Sequence, residues 1–307
     1  LHELRHLLRQ KEIRVNINRP IVVGVDDSAS SLEAVRWAAE AAVRRESPLV
    51  LVSALLTPGH YGVPSAIPSR YFDNQENESK KILERAADVA ARAAQGRTLA
   101  IKTDLRRGPV IGVLLDHVQT AEMVVLGWRG IDEFTGMLVG SVAAALTAHG
   151  FCPVAVIRGL PGPQEPALDG PVVVGVDGTK NSEPAIRAAF EEASLRGATL
   201  VAVHAWSDHK LSIFFPVDNE FDWAPHERAA QATLSQTLAG WCEDYPHVTV
   251  QTVIVPDRPV RNLLAQAEHA QLLVVGSHGR GGYTSMLIGS TSRALLQSAQ
   301  CPLMIAR

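Results

Sequence analysis

Two stretches of the chain space their glycines in the same way. One is Gly127-Trp128-Arg129-Gly130, then nine residues, then Gly140-Ser141; the other is Gly276-Ser277-His278-Gly279, nine residues, then Gly289-Ser290. Glycines let a backbone turn sharply and let a ligand approach without a Cβ in the way. Successive N–H groups in such a turn form a nest for an anion. A Gly-Ser pair that opens a helix adds free N–H donors and the positive end of the helix dipole. The hydroxyl of Ser141 or Ser290 can donate to a phosphate oxygen. A hydrogen bond to a charged group contributes roughly 1.5–3 kcal/mol, and micromolar binding needs about 8 kcal/mol net. Four or five such donors, with burial of a base, reach that figure. There is no GK[ST], so this is not the Walker pattern. The loop also does not follow the first strand, as the usual dinucleotide fingerprint does.

A second pair of polar residues closes the first apolar run of each half: Asp26 two residues after Gly24, and Asp177 two residues after Gly175. A carboxylate there can accept from a ribose hydroxyl or a base amino group. It can equally cap the next turn. In the first half Asp27 and Ser28 follow, so one acid can cap while the other binds.

These loops need strands to carry them. Ile21–Val25, Leu49–Leu55, Leu99–Leu105, Met123–Leu126 and Val154–Ile157 read as short buried strands. Helices are expected near 32–45, with Ser28, Ser30 or Ser31 as cap, and near 74–94, 109–119 and 140–148. The second half repeats the order, with strands near 172–176, 200–205, 248–255, 272–275 and 303–305. Strands alternating with helices imply a parallel, doubly wound sheet, which binds ligands beyond the carboxyl ends of its strands.

The repetition is visible in the letters. IVVGVD at 21–26 returns as VVVGVD at 172–177, VVLG at 124–127 as LVVG at 273–276, and CPVAVIR at 152–158 as CPLMIAR at 301–307. Each unit is a whole domain. The division is an arm at 1–19, a first domain at 20–158, a proline-rich linker at 159–170 and a second domain at 171–307. Arg5, Arg9, Arg14 and Arg19 in the arm read as a solvated extension or a short docked helix.

Composition narrows the function classes. Apolar residues make up 46% and charged residues 20%, with a net charge of −3. That is a globular composition without the excess basic charge of a general nucleic-acid or membrane binder. No apolar run is long enough to span a bilayer. The N-terminal residues lack a signal-peptide core, so cytoplasmic residence is expected. Cys152, Cys242 and Cys301 form no CxxC pair; Cys152 and Cys301 read as small buried residues at strand starts. His60, His117, His149, His204, His209, His226 and His269 lack metal-ligand spacing and read as surface or helix-end residues. The aromatic stretch with Phe214, Phe215, Phe221 and Trp223 reads as a lid, a dimer contact or simple packing.

The pattern G-x2-G-x9-G-[ST], occurring twice with a VGVD opening and a CPV-type last strand, resembles the universal stress protein family in its ATP-binding branch and tandem form. The resemblance spans about Pro20 to Arg307. It implies Rossmann-like five-stranded parallel sheets in the order 3-2-1-4-5, flanked by helices. It implies ATP, with magnesium, as the ligand. Backbone atoms of Ala54 and Ala205 would read the adenine, and Asp26 and Asp177 would sit by base and ribose. The glycine loops, Ser141-Val142 and Ser290-Thr291-Ser292 would hold the phosphates. It further implies a homodimer and a nucleotide-dependent regulator of stress response or growth arrest, with a protein partner of unknown identity.

The two loops are unequal. The second continues Arg280-Gly281-Gly282, where the first has Ile131, Asp132 and Glu133. Acids facing phosphate repel it, so the first site is expected to bind more weakly. No residues form a dedicated catalytic constellation or a metal site. A slow ATPase, a cyclic-nucleotide binder and a nucleotide-free scaffold stay as alternatives.

Overall fold

The computed structural model describes residues 19–55, 69–128, 139–158, 169–207, 223–279 and 288–307. The chain divides into two compact units, Leu1–Gly159 and Leu160–Arg307. Among the described residues, the first unit runs β1 (Ile21–Gly24), α1 (Ala29–Arg45), β2 (Leu49–Leu55), α2 (Ser69–Ala93), β3 (Ile101–Arg107), α3 (Val110–Val118), β4 (Met123–Gly127), α4 (Ser141–His149) and β5 (Val154–Ile157). The second runs β6 (Val172–Val176), a 3-10 turn Lys180–Ser182, α5 (Glu183–Arg196), β7 (Leu200–Ala205), α6 (Ala224–Asp244), β8 (Val250–Val255), α7 (Pro259–Gln266), β9 (Leu272–Gly276), α8 (Ser290–Ser298) and β10 (Leu303–Ala306).

Each unit builds a parallel sheet. The first is ordered β3-β2-β1-β4-β5 and the second β8-β7-β6-β9-β10, so both have the 3-2-1-4-5 order. The central strand β1 pairs with β2 through Ile21↔Leu49 and with β4 through Ile21↔Met123. Its counterpart β6 pairs with β7 through Val172↔Leu200 and with β9 through Val172↔Leu272. Central strands are apolar on both faces because helices cover both sides. Ile21, Val22, Val23, Val172, Val173 and Val174 have no exposed surface. The outer strand β3 (IKTDLRR) is half-exposed along its length. Charge there discourages pairing with another chain.

Helix starts follow local chemistry. Ser28 caps α1, its Oγ accepting from the Ser31 amide at 3.1 Å. The expected helix at 74–94 begins earlier, at Ser69. The expected strand at 248–255 begins later, at Val250, because Val248 N–H closes a turn on the Tyr245 carbonyl. Strand three also lies two residues later than read, at Ile101–Arg107.

At the strand amino ends, buried ion networks tie helix to sheet. In the second unit Arg196 Nε donates to Glu192 at 2.7 Å and Arg196 Nη1 to Gln271 at 3.1 Å. Gln271 Nε2 in turn donates to the Gly170 carbonyl at 2.6 Å. The first unit uses Arg45 and Ser47, both donating to Glu122, at 3.0 and 2.7 Å.

The thiols are quiet. Burial pushes both Cys152 and Cys301 up to about 11. At pH 8 about a thousandth of either is thiolate, the reactive form. Cys242 is exposed. With a disulfide-exchange reagent at pH 8, Cys242 is expected to label alone. Cys152 and Cys301 should follow only on denaturation or as the pH climbs towards 11. Equal labelling of all three at pH 8 would contradict this burial.

Candidate nucleotide site

The glycine spacing has a mechanical reason. After β4 the Trp128 amide bonds to the Ile157 carbonyl at 2.9 Å, and the Gly140 amide returns to the Trp128 carbonyl at 2.9 Å. After β9 the Ser277 amide bonds to Ala306 at 2.9 Å, and the Gly289 amide returns to Ser277 at 2.7 Å. Gly140 and Gly289 thus lie against the tips of β4 and β9, where α4 and α8 begin. Their first helical positions follow Gly140 and Gly289, and neither helix has a side-chain cap. Their leading N–H groups are therefore left to other acceptors.

Gly127 is required by close approach. A Cβ there would stand 2.6 Å from Ser30 Oγ and 2.8 Å from the Ser31 amide nitrogen, so α1 could not dock. At Gly276 the same atom would meet the Asn181 carbonyl oxygen at 3.0 Å. Gly24 instead makes room for Leu126 and Leu114 behind the strand.

In the second unit three loop carbonyls are engaged by the protein itself. Ser292 Oγ donates to Gly276 at 2.6 Å, the Gly289 amide donates to Ser277, and Asn181 Nδ2 donates to Gly279 at 3.1 Å. Tying carbonyls back leaves the amide side of the loop for an anion. Ser292 is buried and its proton is committed to Gly276, so its hydroxyl shapes the loop. Ser290 is exposed at the helix start and Thr291 half-buried beside it. Ser277 Oγ lies 3.0 Å from His278 Nδ1, which orients that ring.

The aspartates do act as local caps. Asp177 Oδ1 accepts from the Thr179 amide, Thr179 Oγ1 and Ser182 Oγ at 2.7, 2.8 and 2.6 Å. Its other oxygen stands 3.7 Å from where a Gly279 Cβ would be, so it lies towards the glycine loop. Asp26 Oδ1 accepts from the Ser28 amide and hydroxyl at 3.1 and 2.7 Å. Asp27 adopts a left-handed φ of 68° and pairs with Arg85 of α2 at 2.8 Å. The second unit has Gly178 at that position, with φ 79° and no side chain.

These pieces border one open cleft in the second unit, about 510 Å³ out to solvent. Its lining includes Gly175, Asp177, Ala205, Gly276, His278, Thr291 and Ser292. It lies at the carboxyl ends of β6 and β9, where the strand order reverses, the usual ligand position in open parallel sheets. Pro259 and Leu263 of α7 close its far side. In the first unit Trp128 takes the place of Ser277. Its ring is buried, and the Arg158 guanidinium lies 3.6 Å over it. Ala54 is half-buried at the end of β2, Ser141 is exposed and Val142 half-buried at the start of α4. Arg129, Gly130, Asp132, Glu133, Arg280, Gly281 and Gly282 lie outside the described residues, as do Phe214, Phe215 and Phe221. Trp223 is described, and its ring packs 5.6 Å from Trp206.

One histidine departs from expectation. His204, read as a surface or helix-end residue, is buried on β7. Its Nδ1 meets the Val176 carbonyl at 2.8 Å, and its ring lies 3.2 Å from where a Gly178 Cβ would be. The carbonyl can only accept, so Nδ1 carries the proton. A lone histidine within VAVHA gives no spacing to read; its place at the end of a buried strand was the available signal.

Comparison with known proteins agrees with the fold and the repeat. The model of the universal stress protein family matches residues 18–158 and again 170–307. Universal stress protein Rv2005c of Mycobacterium tuberculosis is 40% identical over 292 residues, covering 94% of this chain and 96% of that protein. Universal stress protein Rv2623 of the same organism is 37% identical over 297 residues, covering 95% and 97%. A crystal structure of a universal stress protein from Archaeoglobus fulgidus superposes with a TM-score of 0.68 at 17% identity, covering 94% of this chain and 96% of that one. With both halves matched by the family model and tandem relatives aligned nearly end to end, this chain belongs to the universal stress protein family.

Proposed function

We propose that this protein is an ATP-binding regulator of stress response or growth arrest, with its stronger site in the second unit. The reading rests on one observation above all: the second unit's glycine loop has its carbonyls tied back and borders a cleft that also receives the uncapped start of α8. Triphosphate would lie on the loop and on the Ser290–Thr291 turn, drawn by N–H donors and the helix dipole. Adenine would lie over Val203 and Ala205 of β7, with the ribose near Asp177. In the first unit Gly24, Asp26, Ala54, Gly127, Trp128, Gly140, Ser141 and Val142 would form the corresponding, weaker site. Arg129 and Gly130, and Arg280 to Gly282 in the second unit, would complete the two loops.

Among the described residues no group of three or more histidine, cysteine, aspartate or glutamate side chains is arranged for a metal. Magnesium would therefore arrive on the phosphates and keep much of its water. A homodimer in the cytoplasm, acting through a protein partner, completes the proposal. No helix among the described residues is long and apolar enough to cross a membrane.

The test is mass spectrometry of small molecules released from the purified, denatured protein. ATP in stoichiometric amount is the expected result. No nucleotide, with no thermal shift on adding ATP and magnesium, would leave a nucleotide-free scaffold. Displacement by cyclic AMP in preference to ATP would point to a cyclic-nucleotide binder, and turnover of bound ATP to a slow ATPase.

A further inference from the structure

The two units finish their sheets differently. β3 and β8 are corresponding outer strands, and among the described residues no strand of its own unit lies beyond either. An outer strand offers a row of unpaired N–H and C=O groups to another chain, and charge along it discourages that pairing. The pairs Leu49↔Ile101 and Leu200↔Val250 are equivalent, so the two edges align residue by residue. In that alignment Lys102, Asp104 and Arg106 of β3 become Gln251, Val253 and Val255 of β8, and Arg107 becomes Pro256. Every charge of the first edge is a neutral residue in the second.

The helix beside each edge repeats the contrast. In the first unit, α2 carries the pairs Lys80–Glu76 at 2.8 Å and Lys81–Glu78 at 2.7 Å, and Arg107 ties β3 to Glu76 at 2.8 Å. In α6, residues 229–242 include no charged side chain, and Gln231 Nε2 approaches Thr252 Oγ1 of β8 at 3.5 Å. The buried residues of α6 are Ala230, Leu234 and Leu238, while Ala232, Ser235, Gln236 and Ala239 stay exposed. An exposed helix ordinarily carries charge on its outer face. The second unit therefore has a bare strand edge beside a bare helix, where the first has a charged strand beside a charged helix.

The backbone fixes how such an edge can be used. The carbonyls of Thr249 and Val255 accept from Leu200 and Trp206 of β7. Alternate residues of a strand point their peptide groups the same way, so Val250, Thr252 and Ile254 direct theirs away from β7. An antiparallel, twofold pairing of two such strands sets Thr252 opposite itself and Val250 opposite Ile254, with about six hydrogen bonds exchanged. The same register brings Arg258 of one copy opposite Pro246 of the other, beside Glu243 and Asp244 at the end of that copy's α6. Asp257 is buried, so the turn presents a cation to those acids. The strand and the uncharged part of α6 are each about 20 Å long, which gives roughly 500 Å² per copy, or about 1,000 Å² in all, the lower bound for a specific interface.

We infer that the β8 edge of the second unit, flanked by α6, is where a second copy of this chain docks, joining the two second-unit sheets through antiparallel β8 strands. This rests on the homodimer reading above and gives it a surface and a register. An interface of this size makes a reversible dimer in the micromolar range, so assembly would follow the amount of protein in the cell.

Sedimentation velocity of the full chain over a concentration series tests it, with a monomer–dimer equilibrium as the expected result. Thr252→Pro removes one outward N–H from each copy and leaves the β7 ladder intact. It should weaken dimerisation at least about tenfold. Thr103→Pro, at the same place on the charged edge, should leave it unchanged. In a Cys242→Ser background, Thr252→Cys should oxidise to a disulfide-linked dimer, because hydrogen-bonded antiparallel partners stand about 5.5 Å apart between Cα atoms. Gln251→Cys, which lies opposite Val253, should not. Thermal melting by circular dichroism shows whether Thr252→Pro is folded; if it is not, the Thr252→Cys cross-link decides alone. A dimer indifferent to Thr252→Pro, or one that Thr252→Cys does not cross-link, overturns the inference and leaves a homodimer built on another face. A chain that stays monomeric throughout removes the homodimer reading itself.

Discussion

Glu192→Ala should destabilise the second unit by about 3–5 kcal/mol, the cost of stranding one member of a buried ion pair. Glu192 is 2% exposed and Arg196 donates to it at 2.7 Å from the next helical turn. Without the glutamate, the buried guanidinium loses that charged partner, while its bond to Gln271, which itself holds the Gly170 carbonyl, remains. Guanidinium denaturation read by circular dichroism measures the loss. Replacing Glu192 and Arg196 together with methionine should recover most of it, since buried ion pairs are commonly replaced by apolar groups at little cost. A small effect of the single substitution would show that water reaches the pair. Glu78→Ala, which breaks an exposed pair with Lys81, should leave the curve unchanged, because exposed pairs hold little.

Gly279→Asp should weaken ATP binding at the second site by about a hundredfold or more. A carboxylate there would stand against the incoming phosphates and close to Asp177 Oδ2, which lies 3.7 Å from the Gly279 Cβ position. Like-charge contacts of this kind cost several kcal/mol. Gly130→Asp in the first loop should cost less, because Asp132 and Glu133 already place acids in that loop. Calorimetric stoichiometry and affinity for the two variants, measured separately, give the comparison. Equal losses would sink the inequality of the sites.

How far the letters alone carried these conclusions depends on the kind of signal. Runs such as IVVG, VVVGV and LLVVG are apolar on both faces, so they read as interior strands and lie where expected. The repeated landmarks made the tandem division readable, right-handed crossovers pointed to a doubly wound sheet, and the strand order 3-2-1-4-5 came from the family resemblance. Ends were less legible. The start of β8 was misplaced because Val248 continues the apolar letters while its amide closes a turn. At the site, the glycine spacing and both aspartates were visible. Capping by Asp177 was one of the two readings open to it; the proton of Ser292 going to a carbonyl was not legible, because it depends on angles that spacing does not encode. His204 was read as a surface or helix-end residue because it is a single polar letter among apolar neighbours; its burial is a property of the folded chain.

The central place of β1 also has a consequence for the growing chain. Its partner on one side is β2, but the other, β4, is joined through Ile21↔Met123. A ribosome adding roughly 5–20 residues per second needs about 5–20 s between those two residues. For that interval a strand of isoleucine and valine exists with one edge unpaired and no finished core to cover it. The second unit repeats the delay between Val172 and Leu272. Each half of the protein thus passes through a timed window of stickiness during its own synthesis.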